Sequence, residues 1–168
     1  MYYFVQVDKR IPPEEGSAFK RTVERVLNDE RGWDQTFHRV QTMDQILSKP
    51  KKKAFVIRLT LDDYLNKMYP DFSKDQLSVA NMTDHTIDIN HCRWTEQCPN
   101  QSGLPIDQYH EYVILHEVGH ILGKEHPTES QLEKLDETGE APVMMQQTLG
   151  IQNFTPNSWP TSFDKKVL

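Results

Sequence analysis

Three histidines and one glutamate fall within eleven consecutive residues, His116-Glu117-Val118-Gly119-His120-Ile121-Leu122-Gly123-Lys124-Glu125-His126. No other stretch of the chain is so well suited to chemistry. Residues four apart lie above one another on a helix, so His116 and His120 can offer imidazole nitrogens to a single metal ion. Gly123 tolerates the left-handed backbone of a helix C-terminal cap, and the turn it permits can bring His126 back as a third ligand. Glu117 stands about 100° round the helix from His116, where its carboxylate reaches a water on the metal without ligating the metal itself. Three neutral imidazoles leave a zinc ion its double positive charge and an open position, which lowers the pKa of bound water from ~15.7 toward ~7. The expected chemistry is hydrolysis by that water, with Zn2+ as the single cofactor and Glu117 as general base. A bare His-Glu-x-x-His recurs by chance on amphipathic helices, whereas Gly123 and His126 at fixed offsets make the longer pattern far more specific.

The extended pattern resembles the metzincin clan of zinc peptidases, in which a methionine-containing tight turn underlies a three-histidine site. Ala141-Pro142-Val143-Met144-Met145-Gln146-Gln147-Thr148-Leu149-Gly150 follows at a suitable distance. Met144, after Val143, is the better match for that turn, and its thioether is expected beneath the histidines as a soft apolar filler. A wider set, Tyr109 to Gly123 with the methionine run and Asn157-Ser158-Trp159-Pro160, is similar to an uncharacterised family of zincin-like proteins common in actinobacteria, mostly secreted or membrane-anchored. The resemblance implies an α+β, zincin-like fold: a small twisted mixed sheet, a backing helix, an active-site helix and a reduced C-terminal part. It also implies a zinc-dependent endopeptidase acting on a peptide or protein, and it names no substrate. Pro127 resembles the serralysin group of the clan, but Gln146 stands where that group carries tyrosine. Prolines 156 and 160 break helical continuity, so the long C-terminal helix usual in the clan is expected to be missing or reduced to the final few residues. Two rival readings exist. Glu137 or Glu140 could serve as third ligand in the thermolysin manner, or the chain could be a zinc-stabilised domain that binds peptides without cutting them. The second leaves Glu117 without a task.

The surrounding elements must position this motif. At 168 residues the chain suits one domain spanning 1–168, an upper part to 123 and a lower part from 124 carrying the third histidine and the methionine turn. A net charge of −6 argues against a nucleic-acid surface, and the run Lys49-Pro50-Lys51-Lys52-Lys53 reads as a solvated loop. No segment approaches the ~18 apolar residues of a membrane span, and no signal-peptide pattern is visible. Localisation stays open, because a strand starting at the second residue suits either a natural start or a replaced leader. Tyr2 to Val7, Phe37 to Val40 and Ala54 to Thr60 read as strands. Ala18, Phe19, Val23, Val26 and Leu27 recur at helical spacing after Pro12-Pro13-Glu14-Glu15. Asp62 to Tyr69 reads as a short helical turn, and Pro105 or Asp107 as the start of the active-site helix, seated by Tyr109, Tyr112, Val113 and Leu115.

His85 to His91 alternates polar and apolar and is expected as a half-buried edge strand, which the resemblance implies would offer backbone hydrogen bonds to substrate, with an ordinary interior strand as the alternative. Pro127 to Glu140 reads as an irregular excursion. His38, His85, His91 and His110 are expected at the surface or in packing. Cys92 and Cys98 can close a small disulfide loop or remain two thiols. The expected form is a monomer.

Overall fold

Alternating apolar side chains build a mixed sheet of five strands: β1 (Tyr2–Val7), β2 (His38–Arg39), β3 (Ala54–Thr60), β4 (Val79–Asn81) and β5 (Thr86–Asn90). These belong to a computed structural model that describes residues 1–72, 77–135 and 139–166. The spatial order is β2-β1-β3-β5-β4. The first four of these run parallel, and β4 alone is antiparallel, paired to β5 through Val79 with Asp88, Ala80 with Ile87 and Asn81 with Thr86. The expectation that His85 to His91 forms the edge is therefore corrected: β5 is interior and β4 is the edge. The cause is Asp88, whose carboxylate makes the segment look half-solvated although the residue is fully buried. Arg58 donates to both of its oxygens at 2.7 and 2.6 Å, and the Tyr69 hydroxyl donates at 2.8 Å, so the buried charge is met within the protein.

Seven helices accompany the sheet among the described residues: α1 (Pro13–Leu27), α2 (Met43–Leu47), α3 (Asp62–Met68), α4 (His91–Trp94), α5 (Ile106–Ile121), α6 (Glu129–Leu132) and α7 (Ser162–Lys166). Phe19, Val23 and Val26 put one apolar stripe of α1 into the core, and prolines with acids at its start suit the helix N-terminus. That stripe meets Tyr3, Val5, Phe55, Ile57, Leu59, Ile87 and Ile89 from one sheet face, together with Ile114, Leu115 and Val118 of α5. The second half of α5 is buried almost all round, which fixes its rotation as well as its place.

Beyond α5 the chain is less irregular than its polarity suggests. Thr128 and Gln131 form a reciprocal capping box that starts α6, so a helical turn interrupts the expected excursion. Glu137 lies outside the described residues. The C-terminal helix is the short α7, as the prolines before it require. Cys92 and Cys98 are bridged, with Cα atoms 5.3 Å apart. Lys51–Lys53 form one exposed 3-10 turn before β3. No described helix is long and apolar enough to cross a membrane.

Candidate metal centre

Three imidazole Nε2 atoms converge on one point. His126 Nε2 lies 3.1 Å from His116 Nε2 and 3.1 Å from His120 Nε2. Nitrogens held tetrahedrally at ~2.0–2.1 Å from one zinc ion lie about 3.3 Å apart, so the spacing fits a common metal. Helical geometry supplies the first two rings. Gly123 then adopts a φ of 85°, past the helix end at Ile121, and turns the chain so that His126 faces back.

Backbone carbonyls fix which ring atoms face inward. His116 Nδ1 donates to Val143 O at 2.8 Å and His120 Nδ1 to Lys124 O at 2.9 Å. A carbonyl only accepts, so both neutral rings carry hydrogen on Nδ1 and present an Nε2 lone pair. Burial pushes the His116 pKa down to about 3, with His120 adding to the effect, and desolvation in the cleft pushes His126 down to about 4. Burial also lowers His120, against the opposing bond to Lys124. Three neutral, inward-facing nitrogen donors are the set a zinc ion takes.

Glu117 is buried beside them and opens onto the same cavity of about 190 Å³. Burial raises its pKa to about 8, opposed by a hydrogen bond donated from the Ala80 backbone and reinforced by the buried Asp88 charge. The edge strand β4 and Tyr109, Tyr112, Val113, Gln146 and Thr148 form the remaining walls. Gln146 and Thr148, just after the methionine pair, thus contribute to the cavity wall. Glu140 is absent from these walls and pairs with Thr155 in an isolated bridge, so it is no third ligand. Neither His110, bonded to Trp94 O at 2.8 Å, nor His91, paired with Glu15 at 2.7 Å, belongs to the cluster.

The methionines separate cleanly. Met144 joins the main core, and a Cβ built at Gly119 would fall 2.8 Å from Trp33 Cζ2 and closer still to the Met144 sulfur. Met145 packs instead with Leu132, Ala141 and Phe154 in a small second cluster. Sequence reasoning missed what holds this turn in place. Asp164 of α7 accepts from Val143 N at 2.9 Å and from Met144 N at 3.0 Å. Tyr112 OH donates to Met145 O at 2.9 Å and accepts from Gln147 N at 2.9 Å. The buried Gln147 side chain donates to Pro142 O and Asn157 O at 3.2 and 2.8 Å, and Asn157 Nδ2 donates to Ala141 O at 3.1 Å. Polar residues crowded around a methionine were the only signal for this network in the chain.

No curated protein and no solved structure matches the chain. A family model described as "Protein of unknown function (DUF3152)" matches residues 1–162, which takes in the sheet, the three histidines, Glu117, Met144 and Asn157. A match over so much of the sequence makes the chain a member of the DUF3152 family.

Proposed function

We propose that this protein is a zinc-dependent endopeptidase of the metzincin type, with His116, His120 and His126 as zinc ligands, Glu117 as general base and Met144 beneath the ligands. The observation that carries the reading is the convergence of three Nε2 lone pairs at 3.1 Å on a cavity that a buried glutamate shares. When bound, the zinc ion supplies Lewis acidity at neutral pH. Glu117 takes a proton from the attacking water and passes it to the nitrogen of the leaving amine as the C–N bond breaks. The Ala80 backbone beside it favours the carboxylate form of Glu117. An extended peptide adds to the free edge of β4 by backbone pairing, and its side chains enter the cavity between β4 and α5. All these groups come from one chain, so a monomer suffices.

The test is cleavage of a broad peptide mixture by wild type, Glu117→Gln and His120→Ala, with zinc measured by elemental analysis. Wild type should hold about one zinc per chain. Glu117→Gln should keep the zinc and lose about 10²–10⁴-fold in turnover, the usual contribution of a positioned base. His120→Ala should lose both metal and turnover. A wild type that holds zinc and cuts nothing, while binding the same peptides as Glu117→Gln with equal affinity, would replace the peptidase with a zinc-stabilised peptide-binding domain.

A further inference from the structure

Strands β3 and β5 end in register, Thr60 opposite Asn90, and two residues beyond those ends stand Asp62 and Cys92. Cys98 completes a second cluster, in which a carboxylate oxygen and both sulfurs lie within 4.8 Å of one another. Among the described residues, Asp62 Oδ1 is buried there without a hydrogen-bond partner. A carboxylate oxygen withdrawn from water and left without a donor is costly, unless a cation or donor reaches it in another state of the protein. The loop also holds both cysteines independently of their bond. Asn90 Oδ1 accepts from Cys92 N at 2.8 Å, and Cys92 O accepts from Gln97 N and Cys98 N at 2.8 and 3.2 Å.

We propose that reduction of the Cys92–Cys98 bridge converts this cluster into a second metal site, with Asp62, Cys92 and Cys98 as ligands for a thiophilic divalent ion such as zinc. A thiol or phosphine reductant supplies two electrons and is itself oxidised, the S–S bond breaks, and each sulfur takes up one proton. The incoming ion displaces both protons as the two thiolates bind. The Asp62 carboxylate is the third ligand and gains the cation it lacks, and water fills the remaining position. Two thiolates select zinc, cadmium or cobalt over the hard ions that carboxylates alone would hold. The loop after α4 is then closed in either redox state, by a covalent bond under oxidising conditions and, under reducing ones, by a metal that also ties in α3. The proposal is independent of the peptidase reading.

Cobalt(II) distinguishes the two centres, because only thiolate ligation gives a sulfur-to-metal charge-transfer absorption. The full chain is titrated with cobalt(II) before and after phosphine reduction. The reduced protein should develop that absorption and take up about one more ion per chain than the bridged protein. Asp62→Asn should weaken the sulfur-bound ion by more than about 100-fold, beyond the ~10–100-fold that loss of an outer hydrogen-bond partner costs. Reduced wild type without the absorption overturns the proposal, and so does an Asp62→Asn variant that binds the sulfur-bound ion as tightly as wild type. The comparison of reduced and bridged wild type decides the matter even if the variant fails to fold.

Discussion

Gly119 has no side chain because the space belongs to others. Its neighbours are the Met144 sulfur and Trp33, whose indole N–H also donates to Leu115 O at 2.9 Å within the same helix. Gly119→Ala should therefore destabilise the fold by about 1–3 kcal/mol through overpacking, read as a lower urea midpoint, even though alanine is the better helix former. That inversion of the ordinary propensity order is the sign to look for. A stabilised variant would mean that the contact relaxes at little cost. The histidines were legible in the sequence because helical spacing and one permissive glycine are local facts. The role of Gly119 was not, since it depends on a tryptophan and a methionine that meet only in the folded chain. Met144 could be preferred over Met145 by likeness, but only packing shows that they belong to different clusters.

At the scale of elements, the short α7 acts on the centre through one side chain. Asp164 is buried and accepts both backbone N–H groups of the methionine turn, whose Val143 carbonyl in turn orients His116. Asp164→Ala strands two buried donors at a cost of about 1–3 kcal/mol each. The melting temperature should fall, and a chelator should strip zinc faster than from wild type. Asp164→Asn keeps one acceptor oxygen and should lose less. This dependence is invisible in the chain itself, where the residues after Pro160 read at most as a few helical residues. The edge strand shows the same limit. Thr86–Asn90 alternates as a half-exposed strand does, and only Arg58 and Tyr69, brought up from other elements, explain how Asp88 can sit inside. Val79–Asn81 is too short for its alternation to register.

For the whole molecule, the histidine cluster ties metal-free stability to pH. The fold holds His116 near a pKa of about 3 and His126 near about 4, and lowers His120, while the unfolded rings take up protons near 6.5. The unfolded chain thus binds more protons, and this contribution, complete above 6.5, is lost as pH falls toward 3 to 4. Glu117 acts in the opposite sense: its pKa of about 8 lies above the ordinary 4.5, so its contribution is lost as pH rises between those values. Three imidazoles outweigh one carboxyl below 6.5, so urea midpoints in chelator should drop steeply from there down to 4 and sag only gently toward 8. Zinc should make the acid side steeper, because its ligands must be free of protons. A flat acid limb would mean that the rings are hydrated and titrate normally. The two walls of the cleft are fastened unequally: β4 pairs with β5 through three residue pairs, while the methionine turn is held by buried bonds to α5 and α7 and by a part-buried one to Asn157. The cleft is a vice with one jaw bolted more firmly than the other. All three histidines ride on the firmer side, so under the proposed peptidase reading a thicker or thinner peptide would press on β4 and leave the histidine geometry in place. Under that reading, what would change with the grip is the pKa of Glu117, which the Ala80 backbone of the β4 wall helps to lower.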